Sequence, residues 1–221
     1  WVLCCGVYLN SRTIVGTCIR DSGPNGFANA KSLTESLVRL GFEVRRFKTG
    51  TPARVRLDTI DLARTVEQCG EADTKPFSYL DDSIPATKRS CYLTYSTAET
   101  KKIILDNKQL APLYNGSING VGPRYCPSIE DKVVRFADKE RHQIFLEPES
   151  EDTNEFYVQG ASTSMPAWVQ EQIYHSIEGL ENVEIMRDAY AIEYDCIDAT
   201  QLNASLMSKA VPGMFFAGQI N

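Results

Sequence analysis

Residues 29–52 read NAKSLTESLVRLGFEVRRFKTGTP. Leu33, Leu37 and Leu40 recur at i, i+4 and i+7, which predicts a helix over 29–40. Gly41 supplies its stop. Residues 42–47 then read as a strand. Lys48, Thr49, Gly50 and Thr51, ahead of Pro52, read as a glycine turn flanked by two hydroxyls and a lysine. Backbone N–H groups in such a turn could hold a phosphate or the edge of a flavin. Upstream, the apolar run 1–5 ends at Gly6 and reads as a buried strand. Strand, helix and strand in this order form a βαβ-like unit, which predicts an α/β fold.

The pattern continues outward. Residues 7–19 are rich in β-branched side chains and suggest more strand, and 21–26 is a loop of Ser, Gly, Pro and Asn. Residues 59–90 are polar, with little periodicity, and read as a surface excursion. Strands are expected at 91–95, 143–146, 156–159, 183–186, 190–194 and 214–217. Ser96 with Glu99 fits a capping box that starts a helix running to about Asn107, with Ile103 and Ile104 inward. A second helix should follow Pro166, whose missing N–H costs nothing in a first turn. Trp168 and Tyr174 on it read as core aromatics. The acids Glu147, Glu149, Glu151 and Asp152 read as a solvated loop.

The 221 residues suffice for a sizeable core, and 43% hydrophobic with 24% charged is ordinary globular composition. No apolar run approaches a membrane span. Both ends read as cut. Seven cysteines with no C-x-x-C pair suggest reduced thiols in the cytoplasm. The net charge of −6 gives no global attraction for nucleic acid. Locally, though, Arg39, Arg45, Arg46, Lys48, Arg54 and Arg56 face only Glu43 in the sequence. Such a patch would suit a phosphate-bearing ligand or an RNA backbone, or would be a solvated face.

Residues 120–145, GVGPRYCPSIEDKVVRFADKERHQIF, concentrate special residue types. Gly120 and Gly122 permit close backbone approach. Pro123 and Pro127 stiffen the segment holding Arg124, Tyr125 and Cys126. Ser128 with Asp131 matches a helix start. A neighbouring arginine and a helix N-terminus both favour thiolate at Cys126. A lone cysteine is also a common small core residue, and the residues alone leave reactive and structural thiol open. His142 reads as a surface or satisfied structural histidine.

At this point the residues resemble a known family. RFKTGTPAR, CYLTY, the 120–149 stretch, DTNEFYVQG, YAIEYD and GMFFAGQIN are similar to successive motifs of the MnmG/GidA family. These are FAD-dependent enzymes that modify the wobble uridine of certain tRNAs, adding a carboxymethylaminomethyl or aminomethyl group at carbon 5. The resemblance implies part of a Rossmann-type FAD-binding domain, at 1–47 and 189–221, interrupted by an inserted α/β NADH-binding domain at 48–188. It implies that Gly122, Pro123, Arg124, Tyr125, Pro127, Ser128, Ile129, Glu130, Asp131, Lys132, Val133, Val134, Arg135 and Phe136 form the NADH segment. Arg124, Lys132 and Arg135 match basic positions associated with tRNA or dinucleotide contact. Cys126 matches a reactive cysteine, and Gln219 a glutamine that touches FAD. Methylenetetrahydrofolate as one-carbon donor, an MnmE-type GTPase partner and a homodimer are implied for the complete system.

Two other readings compete. A flavoprotein disulfide reductase would need a paired redox cysteine motif, and the sequence has none. A nucleotide- or RNA-binding module without catalysis would show no bound flavin absorbance.

Overall fold

The computed structural model describes residues 1–71, 74–84, 89–122 and 126–221. In chain order its elements are β1 (Val2–Leu3), β2 (Arg12–Val15), β3 (Cys18–Asp21), α1 (Lys31–Arg39), β4 (Val44–Thr51), β5 (Arg54–Arg56), β6 (Val66–Gln68) and β7 (Cys91–Tyr95). There follow α2 (Ala98–Asp106), α3 (Ile129–Arg135), β8 (Gln143–Pro148), β9 (Glu155–Gln159), α4 (Ala167–His175), β10 (Ile185–Arg187), β11 (Tyr190–Ile197) and β12 (Phe215–Phe216). The fold is mixed α/β. One sheet has the order β3-β2-β11-β4, a second β10-β5-β9-β8-β7-β6, and β1 pairs with β12.

The βαβ reading of the first fifty residues needs correction. Both larger sheets are antiparallel throughout, and among the described strands only β1 and β12 pair in parallel. α1 does connect strands of one sheet, but β11 and β2 lie between β3 and β4. The helix itself forms as expected. Leu37 is buried against Phe42, Ile197 and Phe216, and Gly41 ends the turn at φ +89. The first strand is shorter than its apolar run, and Trp1 and Val2 are exposed.

The glycine turn at 48–51 is also corrected. Lys48, Thr49, Gly50 and Thr51 continue β4, paired residue by residue with β11 from Tyr190↔Thr51 to Ile197↔Val44. Gly50 has no positive φ, so eight residues of unbroken ladder override a local turn signal.

The chain passes between the two large sheets twice. Pro52 and Ala53 carry it from β4 to β5, and Asp188 and Ala189 return it from β10 to β11. Both crossings are held by α4. The Ala53 N–H donates to Tyr174 Oη at 2.9 Å, and Tyr174 donates to the Ala161 carbonyl at 2.9 Å. One turn earlier, Gln170 accepts from the Ala189 N–H at 2.8 Å and donates to the Ala189 carbonyl at 2.9 Å. An i, i+4 spacing puts both side chains on one helix face. Trp168, expected in the core, lies on the other side of α4 and is half exposed.

The core follows this division. Ala53, Val55, Ile144, Leu146, Phe156, Val158 and Tyr174 pack on the six-stranded sheet, while Ile104, Ile129, Val133, Val169 and Ile173 join α2, α3 and α4. α2 starts one residue later than expected, with Thr97 and Thr100 making the reciprocal cap. Ser96 is occupied elsewhere, because its hydroxyl accepts from the His142 N–H at 2.8 Å. His142 is buried. No helix among the described residues is long and apolar enough to cross a membrane.

Candidate functional site

The thiol loop reaches the sheet through a buried carboxylate. Glu193, in the middle of β11, accepts from the Asn119 N–H at 2.7 Å and the Gly120 N–H at 2.5 Å, and pairs with Arg12 at 2.5 Å. A charge inside an apolar strand is tolerated only with such partners. The loop then lies along the outer edge of β4. Lys48 N–H donates to the Val121 carbonyl at 3.0 Å, and Val121 N–H to the Arg46 carbonyl at 3.1 Å. Gly120 is required there, since a Cβ would sit 2.7 Å from the Phe47 carbonyl carbon and oxygen. The close approach expected of this glycine is therefore to a strand. Pro123, Arg124 and Tyr125 lie outside the described residues.

Cys126 is half-buried, with Sγ 3.4 Å from Thr49 Oγ1. Ser128 then caps α3 as its sequence suggested, accepting from the Asp131 N–H. Lys132 Nζ donates to the Gly160 carbonyl at 2.9 Å. Burial pulls the Lys132 pKa down, and a negative charge at Cys126 opposes that shift. Tyr194 lies behind the thiol and donates to Gln219 Oε1 at 3.0 Å. Burial pushes the Tyr194 phenol up to about 12, with the Cys196 and Cys126 charges adding to it.

Glu130, the second residue of α3, is fully enclosed. Burial raises its pKa, against its own amide, the Lys48 charge and the nearby Thr163 and Ser128 hydroxyls. Neither carboxylate oxygen completes a hydrogen bond of normal geometry, so desolvation dominates. His142 is pushed down by burial, with Lys132, Lys139 and Lys101 adding to it.

The structure thus brings Thr49 against Cys126, with Lys132 and Tyr194 within electrostatic range of the thiol and Gln219 bonded to Tyr194. Lys48 is buried, and its charge acts on Glu130 without a hydrogen bond to either carboxylate oxygen. Within 122–136, Ile129, Glu130, Asp131 and Val133 are buried, whereas Gly122, Arg135 and Phe136 are exposed and Pro127, Lys132 and Val134 are intermediate. Arg135 pairs with Asp131 at 3.6 Å. The expected basic patch is mostly neutralised. Arg45 pairs with Asp198, Arg46 with Asp195, Arg54 with Glu149, and Arg56 with Asp58 and Glu184. Glu149 is therefore an ion-pair partner, and Glu147 sits half-buried in β8 with its pKa raised by burial. Sequence reading missed Glu193 and Tyr194. The available signal was a glutamate flanked by apolar residues in YAIEYD, a pattern that demands a buried partner.

An edge strand, a loop laid along it and a thiol facing a hydroxyl define a mixed α/β protein with a cysteine presented on a sheet face. The whole chain, residues 1–221, matches glucose inhibited division protein A, and the chain belongs to that GidA family. It is 54% identical over its full length to the tRNA uridine 5-carboxymethylaminomethyl modification enzyme MnmG of Clostridium novyi (strain NT), covering 35% of that protein. The MnmG of Clostridium kluyveri is 56% identical, again with 35% of its length covered. Among solved structures, Aquifex aeolicus GidA in its form I crystal superposes with a TM-score of 0.89 at 44% identity, covering all of this chain and 38% of that one. The form II crystal gives 0.88 at 41%, covering 99% and 35%. The chain therefore spans about a third of the length of its relatives.

Proposed function

We propose that this chain is the cysteine-bearing part of a flavin-dependent enzyme that modifies the wobble uridine of tRNA at carbon 5. The observation that carries the reading is Cys126, in contact with Thr49, together with the Asn119–Gly120 segment that Glu193 pins to β11. Uracil is electrophilic at carbon 6. Attack there by the Cys126 thiolate forms a carbon–sulfur bond and moves the electron pair of the 5,6 double bond toward carbon 5. Carbon 5 can then bond to a one-carbon unit, and loss of its proton expels the thiolate. Lys132 lies within electrostatic range of Cys126.

Two features fit a flavin on this face. Tyr194 engages the oxygen of Gln219, which leaves the amide nitrogen to donate. Strand alternation puts the Gly50 N–H on the same outer edge as that of Lys48. Lys48, Thr49, Gly50, Thr51 and Gln219 would hold FAD, the Lys48 charge also acting on Glu130. When bound, FAD supplies the redox chemistry that hands on the one-carbon unit of methylenetetrahydrofolate. NADH would meet the exposed positions Gly122, Arg135 and Phe136. We assign the six-stranded sheet and its helices to the inserted NADH domain, and the remainder to the FAD domain. A homodimer, an MnmE-type GTPase partner and a cytoplasmic location complete the reading.

Cys126→Ser in the complete enzyme tests this. Nucleoside analysis of tRNA should show modification largely abolished with FAD content intact. Full modification by that variant removes the covalent role.

A further inference from the structure

Of the described arginines, ten have a protein partner: a carboxylate, a hydroxyl or carbonyl oxygen, or an aromatic ring. Arg20 and Arg187 are the two described arginines without one. They stand far apart in the sequence, yet both line one cavity of about 800 Å³ between the β2–β3 hairpin and the start of α4. That volume lies within the range of small-ligand sites. A fold that pairs its other described arginines, even at the surface, and leaves two guanidiniums lining one cavity points to an anion absent from the fold.

The rest of the lining narrows the class. Thr13 and Ser22 bring hydroxyls, Tyr190 an aromatic ring and Asp188 a carboxylate. Two guanidinium forks suit a phosphate. A ring and an acceptor suit the base or ribose beside it. Asp188 leaves the lining with two positive charges against one negative.

Register places this cavity relative to the thiol. Ile192 of β11 is the partner of Thr13 on one side and of Thr49 on the other. Directly paired residues project from the same face of a sheet, and strands lie about 4.8 Å apart. Thr13 in the cavity and Thr49 beside Cys126 therefore share one face, about 10 Å apart. A short single strand can span both.

We propose that the cavity is a second RNA subsite. Arg20 and Arg187 grip a backbone phosphate of the strand whose base faces Cys126, a role that rests on the tRNA-modifying reading above. The probe is a fluorescent anticodon stem-loop RNA, titrated against the complete enzyme across a salt series. Arg20→Ala with Arg187→Ala should weaken binding at least tenfold at low salt. It should also flatten the slope of log affinity against log salt by about 1.4, at about 0.7 per lost contact. Arg20→Lys with Arg187→Lys should restore the slope while binding more weakly than the parent. Both side chains are exposed, and unchanged thermal unfolding of the variants checks the fold.

Parental affinity and slope in the double alanine variant overturn the proposal and leave the role of Cys126 untouched. Inorganic pyrophosphate binding that disappears in that variant while RNA binding persists also overturns it, in favour of a small free anion. If Cys126→Ser retains activity while the double variant loses affinity and slope, the subsite stands and the covalent reading falls.

Discussion

Thr49 Oγ1 and Cys126 Sγ lie 3.4 Å apart across 77 residues of sequence. Either group can donate in the neutral pair, and only the hydroxyl can donate once the sulfur has lost its proton. Thr49→Val should therefore slow alkylation of Cys126 by iodoacetamide several-fold at neutral pH, and Thr49→Ser should not. Peptide mapping by mass spectrometry reads each cysteine separately. Cys196 is buried and serves as the slow internal standard. Cys4, expected to be protected in a strand, is exposed along with Cys18 and Cys69, so these should label freely. An equal rate in Thr49→Val would show that the contact does not influence the sulfur.

Glu193 satisfies two loop amides and Arg12 at once. Glu193→Ala leaves all three without that partner. Removing one member of a buried pair costs about 3 kcal/mol or more, and Arg12 is partly solvated, so about 3 kcal/mol is expected. Urea unfolding measures it. The variant should also loosen the loop and change the Cys126 labelling rate, which a purely global effect below the unfolding transition would leave alone.

The enclosed Glu130 gives a pH dependence of definite sign. Burial raises its folded pKa above the unfolded value of about 4.3. Below that value both states are protonated and the residue is neutral in the balance. As pH rises, the unfolded state ionises first, so stability falls until the folded pKa is reached. Glu130→Gln removes this penalty. Its gain over the parent should be absent near pH 4 and grow toward neutrality, by about 1.4 kcal/mol per unit of displacement. A difference independent of pH would mean that Lys48 offsets the desolvation completely.

Tyr174→Phe isolates one of the two clamps on the sheet crossings. It removes the bonds to Ala53 and Ala161, both within the core. Leaving buried polar groups unpaired costs about 1–3 kcal/mol each. A denaturant midpoint unchanged from the parent would show that those groups find other partners.

Local pairing and periodicity were legible in the sequence. The strands at 91–95, 143–146 and 156–159 and the stop at Gly41 follow from apolar alternation and glycine chemistry. Long-range partners were not. Arg45 and Arg46 read as a free basic patch because Asp198 and Asp195 lie about 150 residues away and meet them only through the β4–β11 ladder. The same ladder turned Lys48 to Thr51 from a turn into a strand. At the site, the special residues around Cys126 were visible, but Glu193 and Thr49 depend on tertiary approach. A capping pattern shared by Ser96 and Thr97 could be resolved only by knowing that His142 claims the first hydroxyl.

Thr51 and Tyr190 are register partners at the very point where the chain leaves one sheet and later re-enters it. A segment whose two ends already lie side by side can be added to or removed from a gene in one event without tearing the remaining sheet. It leaves behind only a hairpin to be closed between neighbouring strands. The outgoing and returning crossings therefore begin and end at one register pair of β4 and β11.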